Sequence, residues 1–373
     1  MLNAVVMAGG SGTRLWPESR RERPKQLLAL QDNRSMLDVT LQRVGSVVPA
    51  DNIFIATTEK LAGTIMQQMP AIPRESIIAE PMPRNTAPCI GLAAIRVLHA
   101  DPDATMLVLP SDHVIEPTSE FRRAVEAAVK IVDEDPRRLV TFGIRPTYPS
   151  TSFGYIERDM PLESQALADS GNLAAKTWTV SCFREKPDLQ TAREYLETGR
   201  FTWNAGIFIW KARTLIDMLH RFEPEMHERL MTIAEAIAVD NFDEVLHREF
   251  EAMKSISIDY AVMERATEEQ TAEVIVIEAP FTWDDVGGWR SLERLQKLDE
   301  NGNLFDSPQY IAIDAKDTTL RSRNPNRMIA LLGTENLIVI ETDDALLIAD
   351  KNHEESVRRV IEELKSRGLD AYL

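Results

Sequence analysis

The chain has 373 residues, 44% of them apolar, and its 42 Lys and Arg face 59 Asp and Glu for a formal charge of -17. That length calls for one large domain with a smaller companion rather than a single small core. The acidic balance argues against a general nucleic-acid binder, which needs clustered positive charge, and no apolar run approaches a membrane span.

Only Cys89 and Cys182 are present, which excludes a disulfide framework and fits a reducing compartment. The chain opens directly into Leu2-Asn3-Ala4-Val5-Val6, without the basic start, long apolar stretch and cleavage site of a signal peptide. A cytoplasmic protein is the expectation.

In chain order, short apolar runs at Ala4 to Ala8, Asn52 to Thr57, Met106 to Leu109 and Leu139 to Ile144 read as buried strands of a parallel sheet. Between them, Leu37, Leu41, Val44 and Val48 mark one helical stripe. Phe121, Ala124, Val125, Ala128, Val129 and Val132 mark another, with Thr118 or Ser119 as the expected N-cap. The alternation predicts a doubly wound, mostly parallel α/β domain whose ligands collect at the carboxyl ends of the strands. From Phe153 to Trp210 the pattern turns irregular, with alternating runs at Trp178 to Phe183 and Gly206 to Trp210, as in a substrate-binding insertion or a sheet extension. A helical stretch from Leu215 to Glu251 follows, and the polar segment Lys297 to Ser307 reads as a linker. Beyond it, Tyr310 to Ile313, Met328 to Leu332, Leu337 to Ile340 and Ala345 to Ile348 are short strands, and a helix from Glu354 to Arg367 closes the chain. We expect a catalytic domain over residues 1–295 and a small β domain over 305–373.

The strongest local signal is Gly9-Gly10-Ser11-Gly12-Thr13-Arg14, after the first strand. Glycines at a strand end let backbone approach a ligand, and their N–H groups can cradle phosphate oxygens. A glycine turn without a ligand is the plain alternative. A dinucleotide fingerprint fails at Leu15, and the Gly-Lys-Ser/Thr ending of a P-loop is missing. Around this turn lies a basic island, Arg14, Arg20, Arg21, Arg23, Lys25 and Arg34, in an otherwise acidic chain. A triphosphate attacked at its α-phosphorus needs positive groups on the α, β and γ phosphates, which Arg14 and Lys25 of Pro24-Lys25-Gln26 can supply. Leu109-Pro110-Ser111-Asp112-His113 ends a strand in a carboxylate suited to Mg2+, or to a plain turn. Phe153-Gly154-Tyr155-Ile156-Glu157, Glu185-Lys186-Pro187, Trp203-Asn204-Ala205-Gly206 and Trp283-Asp284-Asp285-Val286-Gly287 set polar groups among aromatics, as sugar pockets and ordinary cores both do.

Taken in order with Leu15-Trp16-Pro17 and Ser19-Arg20, these motifs closely resemble the bacterial mannose-1-phosphate guanylyltransferases, over roughly the first three quarters of the chain. The resemblance implies transfer of GMP from GTP to mannose 1-phosphate with Mg2+, giving GDP-mannose and pyrophosphate. It implies a nucleotide site at Ala8, Gly9, Gly10, Gly12, Thr13, Arg14, Lys25, Ser111 and Asp112, with base reading at Pro83, Arg84, Asn85 and Thr86. Asp112 and Asp285 match the metal carboxylates, Gly154, Glu185, Asn204 and Gly206 the sugar positions, and Lys186 the lysine at the sugar phosphate. The charged groups expected to carry the chemistry are Arg14, Lys25, Asp112, Lys186 and Asp285.

The sequence departs from the family at Glu18, where an apolar residue is usual, at Leu27 and at Asp284. Short family members lack the isomerase barrel of longer relatives and end in a few turns of left-handed β-helix, so transferase activity alone is expected. The resemblance leaves room for a homodimer, and no nucleic acid or membrane is expected as a partner. The rivals are a transferase for another nucleotide or hexose 1-phosphate, and a non-catalytic nucleotide-sugar sensor. The sensor would have no need of Arg14, Lys25, Asp112, Lys186 and Asp285 together.

Overall fold

A computed structural model describes every residue except Ser11, Gln31, Asp32, Asp169 and Ser170. By contact the chain forms two compact units: Met1–Gly9, Leu41–Pro110 and Ile115–Trp283 in the first, and Gly10–Thr40, Ser111–Val114 and Asp284–Leu373 in the second.

The first unit is built on a nine-stranded sheet. Its strands are β1 (Leu2–Met7), β2 (Ile53–Thr58), β3 (Ile77–Glu80), β4 (Thr105–Pro110), β5 (Leu139–Ile144), β6 (Tyr155–Pro161), β7 (Thr177–Arg184), β8 (Phe201–Lys211) and β9 (Val274–Glu278). Their order is β3-β2-β1-β4-β8-β5-β9-β7-β6. Strands β3, β2, β1 and β4 pair in parallel, as do β5 and β9, while β7 and β8 run against their neighbours. Ala4, Val5 and Val6 of β1 are fully buried, as expected of a strand with both faces covered. After Phe153 the chain contributes strands to the same sheet: β6 and β7 extend its edge, and β8 lies inside it between β4 and β5.

The helical stretch expected from Leu215 to Glu251 consists of three helices: Ala212–Phe222, Pro224–Ala236 and Phe242–Glu251. Pro224 opens the second, where its missing N–H costs no intrahelical bond. The helix Thr118–Glu134 buries Phe121, Ala124, Val125, Ala128 and Val132 as the stripe implies, but neither Thr118 nor Ser119 caps it. Extended Pro117 stands at the cap position, with no side-chain bond.

In the second unit, β10 (Leu304–Asp306), β12 (Thr319–Ser322) and β14 (Leu337–Glu341) pair in parallel, as do β11 (Tyr310–Ile313) and β13 (Ile329–Leu332). Successive strands thus alternate between two sheets, the coil of a β-helix, and β15 (Leu346–Asp350) closes it antiparallel to β14. The segment read as a linker is tightly built. The Asp299 carboxylate accepts the amides of Asn301 and Asn303, both at 2.8 Å, and Asn303 Nδ2 donates to Ala315 O at 2.9 Å. Asp, Asn and Gly serve ordered turns and slack linkers alike, so composition could not separate them. The unit's core joins Leu15, Trp16, Leu28 and Leu30 to Val286, Trp289, Ile338, Ile340, Leu347, Val357 and Leu373. Among the described residues, no helix is long and apolar enough to cross a membrane.

Candidate active site

Gly10 and Gly12 take left-handed backbone, with φ of 90° and 57°. A Cβ at Gly12 would lie 2.3 Å from Lys25 Cβ, so the loop can close on Lys25 only as glycine. Thr13 opens the single turn Thr13–Leu15 that follows, while Ser11 is outside the described residues. Pro24 leads into the short turn Lys25–Leu27, and Lys25 Nζ lies 2.6 Å from Asp112 Oδ2 and donates to Asp285 O at 2.6 Å. The Lys25 ammonium therefore gathers Asp112 and the Asp285 segment around one positive charge. Arg14 pairs with Glu355 at 3.1 Å and donates to Gly287 O at 3.4 Å. Ser111 is buried; its carbonyl accepts Thr40 Oγ1, and its hydroxyl has no partner among the described residues.

Burial pushes the Asp112 carboxyl up, but Lys25 and His113 outweigh it and hold the group below the ordinary carboxylate value. Asp285 moves the other way: burial raises it, joined by the neighbouring charges of Asp284 and Asp112 and opposed by Lys25 and Arg294. Asp284 is already engaged, because both its oxygens take Arg294 and Oδ1 also accepts the Val286 amide at 2.8 Å. Among the described residues no three His, Cys, Asp or Glu cluster as a closed metal cage. Mg2+ needs none, since it is held by one or two carboxylates with substrate phosphates and water. The buried carboxyl of Asp285, whose proton affinity the Asp112 charge helps to raise, offers oxygen donors that fit such a cation together with Asp112.

The expected sugar residues meet in the first unit. A Cβ at Gly154 would come within 2.6 Å of Glu185 Oε2 and 3.3 Å of Asn204 Cβ, so glycine there makes room for both side chains. Glu185 Oε1 pairs with Lys186 Nζ at 2.5 Å, and the Glu185 amide donates to Glu264 at 2.8 Å. Gly206 has a φ of 67° and donates its amide to Asn204 Oδ1 at 3.0 Å. Asp259 also belongs to this cluster, accepting Asn204 Nδ2 at 2.9 Å. Nothing in Ser257-Ile258-Asp259-Tyr260 sets it apart locally; only the fold brings it to Asn204.

Ala8 and Gly9 follow β1, where Ala8 N donates to Ala56 O at 2.7 Å and Ala8 O accepts Thr57 Oγ1 at 2.8 Å. Of the expected base-reading residues, Pro83 is exposed and Arg84 bonds to Glu251 O. Asn85 caps the helix Thr86–Ala100 through its side chain, and Thr86 Oγ1 accepts the Ile258 amide at 2.9 Å.

Comparison with known proteins matches residues 3–302 to the nucleotidyl transferase family and residues 308–364 to a mannose-phosphate isomerase/GMP-like β-helix domain. The xanthan biosynthesis protein XanB of Xanthomonas campestris pv. campestris is 38% identical over 98% of this chain and 73% of its own length. A mannose-1-phosphate guanylyltransferase of Escherichia coli K12 is 36% identical over 98% of this chain and 74% of its own. A crystal structure from Thermus thermophilus, described as a mannose-1-phosphate geranyltransferase, superposes with a TM-score of 0.83 at 30% identity, covering 98% of this chain and 99% of that one. With its fold, its glycine loop and Lys25, and a family match over most of its length, the chain belongs to the nucleotidyl transferases.

Proposed function

We propose that the chain transfers GMP from GTP to mannose 1-phosphate, releasing pyrophosphate. The observation that carries this reading is Lys25, closed upon by Gly12 and bound to both Asp112 and the Asp285 backbone at 2.6 Å. That is a preorganised positive centre beside two carboxylates, as a reacting triphosphate requires. The guanylyltransferase relatives of Escherichia coli and Salmonella support the choice of substrates.

The attacking sugar phosphate is already anionic near neutral pH, so no general base is needed. Catalysis then rests on positioning and charge neutralisation. Backbone N–H groups of Gly9, Gly10, Gly12 and Thr13 cradle the phosphates, Lys25 neutralises charge developing near the α-phosphorus, and Arg14 steadies the departing pyrophosphate. Asp112 and Asp285 would hold Mg2+, which supplies Lewis-acid neutralisation of phosphate oxygens. Glu185 and Asn204 bind hexose hydroxyls, and Lys186 takes the sugar phosphate. Residues 1–295 as catalytic domain and 305–373 as β domain are proposed with this reading, as are cytoplasmic location and homodimer formation; the family limits at 302 and 308 support the division.

The test is pyrophosphate release from each of the four nucleoside triphosphates with mannose or glucose 1-phosphate. GTP with mannose 1-phosphate should give the highest kcat/KM by at least about tenfold. Equal or better turnover of another pair would reassign the substrates.

A further inference from the structure

Asp259 opens the π-helical turn Asp259–Met263. Its partner Asn204 has its amide oxygen committed twice over, to Gly206 N at 3.0 Å and Thr141 Oγ1 at 3.1 Å. Asn204 Nδ2 then points to Asp259 at 2.9 Å. A flipped amide would set its NH2 against the Gly206 N–H and its oxygen against the Asp259 carboxylate, so those two bonds fix its orientation, and the bond to Asp259 uses only one of its two N–H groups. The turn itself is anchored, because Thr86 Oγ1 accepts the amide of Ile258, the residue before. Glu185 and Lys186 face Asp259 from the end of β7, and Ser257 and Tyr260 flank it in its own segment.

We propose that Asp259 is a positioning residue of the sugar-phosphate site: its carboxylate orients Asn204 so that the amide offers an N–H to a hydroxyl of the hexose. This rests on the reading of Gly154, Glu185, Lys186 and Asn204 as the sugar site. It adds an acidic group that the reaction does not use directly.

The arrangement carries a pH signature. Burial pushes the Asp259 carboxyl up to about 7, with the Glu185 charge acting the same way and Lys186 against it. Below that pH the group is protonated and no longer a pure acceptor, so Asn204 is held less firmly and the sugar phosphate binds more weakly. Affinity therefore rises as pH rises through about 7. The substrate's own phosphate titrates near pH ~6, so the effect must be read as a difference between proteins.

The experiment measures kcat and KM for mannose 1-phosphate at saturating GTP between pH ~5.5 and ~8.5. It compares the full-length wild type with Asp259→Asn and Asp259→Ala. Asp259→Asn retains an acceptor for Asn204 and has no proton to exchange. It should keep kcat within about threefold and lose the inflection that the wild type shows beyond substrate ionisation. Asp259→Ala should raise KM by about tenfold or more with a smaller change in kcat. Wild-type KM and an unchanged pH profile in both variants, whatever their melting temperatures, would overturn the proposal. So would a wild-type profile with no inflection beyond the substrate's own, which is readable even if a variant fails to fold. A wild type that releases no pyrophosphate from GTP and mannose 1-phosphate would instead sink the substrate reading. Asp259 is then tested with the sugar phosphate that the wild type does accept.

Discussion

Asp284 commits both carboxylate oxygens to Arg294 and one of them also to the Val286 amide, whereas the Asp285 carboxyl is raised by burial and by the charges of Asp284 and Asp112. Asp285→Asn should therefore lower kcat by about 10²-fold or more at limiting Mg2+ while leaving the unfolding midpoint near wild type. Asp284→Asn should do the reverse, keeping turnover within a few-fold and costing about 1–2 kcal/mol of stability as the forked arginine contact weakens. Steady-state kinetics with urea unfolding on both variants checks the pair, and the opposite pattern would move the proposed metal ligand to Asp284. The motif order marked this dipeptide in the sequence. Which of two adjacent aspartates is tied up by Arg294, ten residues further on, depended on the turn between them.

At the scale of elements, Glu18, which the sequence marked as a departure from the family pattern, is a buried partner of Arg321. Arg321 on β12 is only 1% exposed. It reaches Glu18 through Nε at 2.6 Å and Nη2 at 3.2 Å, Asp306 on β10 through Nη1 at 2.6 Å, and the carbonyls of Ala29 and Leu30. The segment that carries Lys25 is thereby fastened to the β-helix within one compact unit. A buried pair adds little over an apolar substitute, but removing one partner strands the other. Arg321→Met alone should cost about 3–5 kcal/mol, and the double variant Glu18→Leu/Arg321→Met should recover more than half of that in urea melts. Equal losses in single and double variants would show that the two groups are not coupled. Neither residue's partner was legible in the sequence, because the two lie on elements far apart along the chain. By contrast β11, whose residues Tyr310–Ile313 read as a run of their own, was visible in outline. The short β10 and β12 were hidden in polar sequence.

At the scale of the whole molecule, the family limits and the packing divide the chain differently. The matched domains meet near residues 302 and 308, yet the second compact unit takes in Gly10–Thr40 together with everything from Asp284 onward. Leu15, Trp16 and Leu28 pack with Ile338, Ile340, Leu347 and Val357 in one apolar cluster, and Trp16 Nε1 donates to Tyr372 O at 2.8 Å. A chain cut after Gly302 would expose that cluster, at about 1.5–3 kcal/mol for each large side chain uncovered. We expect the truncated protein to unfold at clearly lower temperature and to release no pyrophosphate. Calorimetry and the pyrophosphate assay decide this, and a truncated chain with wild-type kcat would mean that the β domain is dispensable to the loop.

What the sequence by itself determined is local. Apolar runs marked four of the nine strands of the sheet, β1, β2, β4 and β5, the helical stripe set Thr118–Glu134, and glycines at the end of β1 set a loop whose left-handed backbone at Gly10 and Gly12 excludes bulkier residues. Motif order carried the family, which the comparison over residues 3–302 shows. What only the tertiary structure decided is which charged groups answer one another: Lys25 with Asp112, Asp284 with Arg294, Glu18 with Arg321, and Asp259 with Asn204. A side chain's partner is fixed by burial and by distance in space, and spacing along the chain carries neither across turns and crossovers. For that reason Asp259 beside Asn204 passed unmarked in the sequence, while the glycine loop, whose constraint lies in its own backbone, did not.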